Sequence, residues 1–164
     1  MHERSPKNKP IDVVLYEIEM FRHCALSLSN KYSSMWNSQV DRAEYYLGLE
    51  GFLLHLRNLL AFFMNHCTEP TDLGINRTQQ WARDRAVKPQ DYSDLMKAAR
   101  DINEKFQTDN GSLYVQISRF LQHCTTFRYT SARSWDVEGI FAEFDPVLTD
   151  FVERFVGKEA VESD

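Results

Sequence analysis

Arg119 and His123 stand four residues apart in a stretch, 112–127, whose apolar residues recur at helical spacing. On a helix that spacing puts a guanidinium and an imidazole on one face, with Thr126 on the same stripe. The pair suits an anion: arginine holds a phosphate or carboxylate, and histidine moves a proton near neutral pH. Just beyond, Arg128 and Arg133 flank Tyr129 and lead to Trp135. Arginine among aromatics suits phosphate contact and base stacking. A second basic group, Arg77, Arg83, Arg85 and Lys88, surrounds Trp81. The plainer use of all these charges is to balance the acidic helices.

A second set of polar residues sits where water is least expected. The stretch EYYLGLEGFLLHLRNLLAFFMNH, Glu44 to His66, is apolar around most of a helical circumference, so it predicts a helix with no face suited to water. Phe52, Leu53, Leu56, Leu59, Leu60 and Phe63 make one wide arc. Glu50 and Arg57 fall together on its edge, Asn58 lies further round, and His55, Phe62 and His66 share another edge. A charge on such a helix needs a partner or a wet cleft. Glu50, His55, Arg57 and Asn58 are therefore candidates either for fixing helix register through buried pairs or for lining a binding cleft.

Other chemistries find less support. The carboxylate-bridged di-metal bundles use Glu-x-x-His pairs, and the chain has none. His23, His55 and His123 lie on three different predicted helices, and no spacing joins them into a metal site. No metal and no cofactor is expected. There is no Walker loop and no G-x-G-x-x-G, which argues against the usual nucleotide-dependent enzymes.

The 164 residues suffice for one domain with a proper core, and an apolar fraction of 43% fits a globular protein. A formal net charge of −5 opposes non-specific attraction to nucleic acid or an anionic membrane, while leaving room for local basic patches. Cys24, Cys67 and Cys124 are odd in number and form no C-x-x-C pair. The polar opening MHERSPKNKP has no apolar core of a signal peptide. These features predict reduced thiols in a cytoplasmic protein. No run approaches the roughly 20 apolar residues of a membrane span, so no membrane partner is expected.

The elements that must position the polar residues read as helices throughout, and no segment offers strand alternation with hairpin turns. Residues 1–10 read as a disordered arm. A first helix is predicted from Ile11 to about Ser29, on the stripe Ile11, Val14, Leu15, Ile18, Phe21, Ala25 and Leu28, with Glu17, Glu19 and Arg22 off it. Residues 30–37 read as a connection. The second helix begins near Ser38 or Asp41, where Asp41-x-x-Glu44 resembles a capping box, and runs to His66. Pro70, Gly74 and Pro89 punctuate an irregular stretch over 67–90. The third helix covers Asp91 to about Phe106, capped by Asp91 or Ser93, and TDNGS at 108–112 is a turn. The fourth spans Ser112 to Phe127. Asp136 caps a fifth, which Pro146 interrupts, with Asp145 as a second cap. Residues 157–164 should fray. The fold class is all-α: an up-and-down bundle of four to five helices, one domain over 11–156.

Two separated motifs resemble a known family. Glu50-Gly-Phe-Leu-Leu-His-Leu-Arg-Asn-Leu-Leu-Ala-Phe-Phe63 resembles a helix pattern of small uncharacterised bacterial proteins, and His123-Cys-Thr-Thr-Phe-Arg128 resembles their fourth-helix motif. Trp135, the Val137, Ile140, Phe141 helix start and a proline within the last helix fit the same pattern. Those proteins look like relatives of the HEPN (higher-eukaryote-and-prokaryote nucleotide-binding) superfamily. The resemblance implies an α-bundle that forms a homodimer and faces RNA or a nucleotide. It implies catalytic roles for Arg119 and His123: a proton transfer at a ribose 2′-hydroxyl by His123, and stabilisation of phosphate charge by Arg119. The family's arginine normally stands at the position of Ser118, one residue before Arg119. It also implies that the second and fourth helices pack side by side.

Three functions follow. The first is a HEPN-like protein, possessing a binding site for RNA, nucleotide or a protein partner and no retained catalysis. The second is a metal-independent endoribonuclease of a toxin–antitoxin or defence system. The third is a structural or interaction bundle whose core polar residues only fix register.

Overall fold

The computed structural model describes residues 10–32, 39–67, 69, 72–76, 87–122 and 135–156. Among them the chain forms five α-helices and no strand: α1 (Pro10–Tyr32), α2 (Gln39–Phe63), α3 (Pro89–Lys105), α4 (Leu113–Gln122) and α5 (Val137–Phe151). A π-helical turn, Val152–Val156, continues α5. The all-α bundle predicted from periodicity is the fold.

The apolar arc of α2 forms the centre. Phe52, Leu53, Leu56, Leu60 and Phe63 are fully buried, and Leu59 is 1% exposed. α1 packs along α2, with Val14, Ile18, Phe21, Ala25 and Leu28 buried, and α3 and α4 also pack on α2. α5 closes the bundle against α1 and α3. The centre is aromatic. Phe21 stacks on Phe52 at 4.9 Å, while Phe63 meets Phe144 and Phe151 edge-on at 5.9 and 5.3 Å. Such pairs add about 0.5–1.5 kcal/mol each beyond the area they bury.

α2 is not sealed on every side, contrary to the expectation from its composition. Tyr46, Leu47 and Leu54 are 49%, 70% and 44% exposed. The five-helix arrangement covers α2 on the α1, α3 and α4 sides and leaves this strip uncovered.

Glycines set the spacing of α1 and α2. A Cβ on Gly51 would stand 3.0 Å from Cys24 Sγ, and one on Gly48 would stand 3.3 Å from Leu28. The helices approach closely there because no side chain keeps them apart.

Several boundaries differ from the sequence expectation for identifiable reasons. α1 starts at Pro10, where proline is favoured in a first helical turn, and it continues to Tyr32, into the predicted connection. Asp41 is already the third residue of α2. α3 starts at Pro89, and Asp91 is its third residue instead of its cap: Asp91 Oδ2 accepts the backbone N–H of Lys88 at 2.7 Å. That hydrogen bond, reinforced by Arg154, holds the Asp91 carboxyl below its ordinary range. α5 passes through Pro146 without a break. Ala142 and Pro146 are both exposed, so water can serve the carbonyl that proline leaves unbonded, while buried Phe144, Leu148 and Phe151 keep the helix in place. Asp145 caps nothing; it pairs with Arg22 of α1 at 2.6 Å. The predicted cap at Asp136 is present, with Oδ1 accepting from the Gly139 N–H at 2.9 Å. The predicted turn after α3 is also present, closed by paired bonds between Thr108 and Gly111, with Gly111 at φ 106°.

Candidate functional site

The end of α2 shapes the site. The helix stops at Phe63, three residues short of the predicted end at His66, because Asn65 takes a left-handed conformation (φ 56°). His66 N–H then bonds Ala61 O at 2.8 Å and Asn65 N–H bonds Phe62 O at 3.1 Å. This is the Schellman pattern, with asparagine in the position usually held by glycine. It turns the chain sharply and places His66 beyond the helix, where its ring lies 5.2 Å from that of Tyr114 on α4. The chain then doubles back. Gly74 lies so close to Asn65 and Cys67 that a Cβ there would collide with both. Asp72 and Leu73 are thereby laid beside the helix end.

The start of α4 is fixed with comparable care. Asn103 of α3 accepts the backbone N–H of Tyr114 through Oδ1 at 2.8 Å. Gln116, 2% exposed, donates from Nε2 to the carbonyls of Phe106 and Gly111 at 3.1 and 2.5 Å. A buried amide satisfied by two backbone carbonyls locks the α3–α4 turn to the helix that follows. Tyr114 and Ser118, one turn apart on α4, are held facing α2.

These elements leave a cleft of about 440 Å³ between α1, α2, α4 and the 72–73 segment. Its polar lining is Glu17, Arg57, Asn58, His66, Asp72 and Tyr114; Val13, Val14, Phe62 and Leu73 give it apolar walls. The size falls within the roughly 300–1,000 Å³ of small-molecule sites.

Two polar arrangements flank the cleft. On the α1 side, one oxygen of Glu17, Oε2, accepts from His55 Nδ1 at 2.7 Å and from Asn58 Nδ2 at 3.1 Å. The imidazole is 9% and the carboxylate 19% exposed, so both are largely out of water and need each other. Tyr16 meets the His55 ring edge-on at 5.9 Å. On the α4 side, Arg57 Nε donates to Ser118 Oγ at 2.9 Å, and its guanidinium carbon lies 5.4 Å from the centre of the Tyr114 ring. The hydroxyl and the ring orient the guanidinium without neutralising it.

The predicted site residues divide accordingly. Arg57 and Asn58 line the cleft, and His55 stands behind it, buried against Glu17. Glu50 is half-buried and does not line it. Arg119 points elsewhere: it is exposed, and its Nη1 donates to Asn110 O at 3.0 Å, across the turn before α4. His123, Thr126, Arg128, Arg133 and Cys124 lie outside the described residues, as do Trp81, Arg77, Arg83, Arg85, the 1–9 arm and the tail after Val156. The α2–α4 packing that the two motifs implied is present. Among the described residues no three His, Cys, Asp or Glu side chains are grouped to hold a metal. No helix among them is long and apolar enough to cross a membrane.

Glu17, Tyr114, Asp72 and Ser118 complete a site that sequence reasoning only half identified. Glu17 sits between Val13 and Phe21 at helical spacing, which puts it on the edge of the α1 stripe that faces α2; that was the available signal. No family model matches this sequence, and no curated protein and no solved structure matches the chain.

Proposed function

We propose that the chain is a HEPN-like helical protein that binds a nucleotide unit, free or within RNA, in the cleft between α1, α2 and α4. The observation that carries this reading is the placement of Arg57. Its Nε is occupied by Ser118, and its terminal nitrogens have no partner among the described residues. A guanidinium held in that way presents two parallel N–H donors to a phosphate. His66 and the ring of Tyr114 stand beside it. The HEPN resemblance expects an arginine at the position of Ser118. In this chain a guanidinium reaches that point from the neighbouring helix.

The same reading takes the protein to be a cytoplasmic homodimer. The uncovered Leu47, Leu54 and Tyr46 on α2 support a second copy, with a separate protein partner as the alternative occupant. Thermal melts with nucleoside monophosphates and with short single-stranded RNA test the binding reading. Ligand should raise Tm, the effect should weaken with salt, and Arg57→Met should abolish it while melting normally alone. Equal protection of wild type and Arg57→Met would remove the basis of the proposal.

A second reading, a metal-independent endoribonuclease, is favoured by the same guanidinium, with His123 as the proton-transfer group. It requires RNA cleavage in EDTA that disappears in a folded His123→Ala variant. An unchanged cleavage rate in that variant would rule it out.

A further inference from the structure

The geometry points to guanine as the base that this cleft selects; the inference rests on the nucleotide reading above and names its ligand. Both hydrogen bonds to Glu17 fall on Oε2. Oε1 has no partner among the described residues, and Glu17 lines the cleft. Asn58 must direct its amide nitrogen at the carboxylate, because an ionised carboxylate only accepts. Its Oδ1 is thereby turned the other way. Glu17 Oε1 and Asn58 Oδ1 are therefore the acceptors left over on two adjoining side chains that line the cleft and are held in place by each other and by His55.

A ligand group that satisfies them must supply neighbouring donors. An ammonium does so, but it would have to lose its water against Val13, Val14, Phe62 and Leu73. A flat neutral heterocycle suits those walls better. Among the four RNA bases only guanine places two donor groups side by side, the N1–H and the 2-amino group. Adenine and cytosine each set an acceptor nitrogen beside their amino group, which would face the carboxylate unfavourably. Uracil has one N–H between two carbonyls. An acceptor that a bound base covers without supplying a donor penalises that base strongly, which is the most effective form of discrimination available to a small site. The phosphate of the same nucleotide goes to Arg57, and about 440 Å³ accommodates one nucleotide.

The test is isothermal titration of the full chain with GMP, IMP, AMP, CMP and UMP, followed by the RNA tetramers UUGU and UUUU. GMP should bind at least ~10-fold more tightly than AMP, CMP or UMP, with IMP, which lacks the 2-amino group, between them. UUGU matching GMP while UUUU binds weakly would place the guanine within RNA; GMP alone binding would indicate a free nucleotide. Glu17→Gln should erase the preference and keep the Arg57-dependent phosphate affinity, with its fold checked by circular dichroism. Equal binding of all monophosphates, lost in Arg57→Met, would overturn the guanine inference and leave the phosphate reading standing. No binding by any of them would overturn both. The wild-type ranking decides the question even if Glu17→Gln fails to fold.

Discussion

The two halves of the α1–α2 seam are built from different materials. Toward the start of α2, Gly48, Gly51 and Phe52 meet Leu28, Cys24 and Phe21, and the helices approach closely through these apolar contacts. Toward its end, His55 and Asn58 meet Glu17, and the seam opens into the cleft. In the apolar half, glycines and apolar side chains set how closely the two helices approach. The desolvated polar half is costlier to build than an apolar seam of the same shape, so its presence is better explained by what it presents to the cleft. Burial and position, more than residue type, separate the two uses of one helix.

Substitutions can break that contrast in order of expected size. Phe52→Ala should cost about 3–5 kcal/mol in urea unfolding, since a fully buried ring is lost from the aromatic centre. Glu17→Gln should cost less, about 1–3 kcal/mol, because only part of one hydrogen-bonded cluster is left unsatisfied. If it cost as much as Phe52→Ala, the polar half would be a structural keystone and the contrast would fail. Gly51→Ala balances two effects. Alanine gains about 1 kcal/mol of helix propensity, while crowding of Cys24 costs about 1–3 kcal/mol. A small net loss is expected, and a clear gain in Tm would show that the apolar seam has slack.

The smallest effect belongs to a surface carboxylate far from the seam. Asp91 is held below its ordinary pKa of 3.8, first by the Lys88 N–H and then by Arg154. Its contribution is therefore present above that ordinary value and is lost as pH falls through the lower folded one. Asp91→Asn should flatten the fall in stability at acid pH by slightly lowering Tm at neutral pH, while melting at low pH stays nearly unchanged.

Much of the fold was legible because helical periodicity is a local property. The α2 arc, the α1 stripe, the Asp136 cap and the TDNGS turn all follow from neighbours a few residues apart. Pro146 misled because its effect depends on whether the freed carbonyl reaches water, which only the packed bundle decides. Asn65 was readable in principle as a left-handed cap, yet a run of apolar residues ending in histidine masked it. The site was legible only in halves. Arg57 and Asn58 stood out as polar residues on an apolar helix. Their partners Ser118 and Glu17 are 61 and 41 residues away in sequence, and no local pattern connects them. Arg119 was the reverse case: its spacing from His123 suggested chemistry, and the structure shows it exposed, with Nη1 donating to Asn110 O, while His123 lies outside the described residues.

The proposed docking of a nucleotide at Arg57, and not at Arg119, has a local signature. A titration of the 15N-labelled protein with GMP, followed by backbone NMR shifts, tests it most directly. Saturable shifts should concentrate on Arg57, Asn58, His66, Leu73 and Tyr114. Shifts centred instead on Asn110 and Arg119, with the α2 end unmoved, would contradict it.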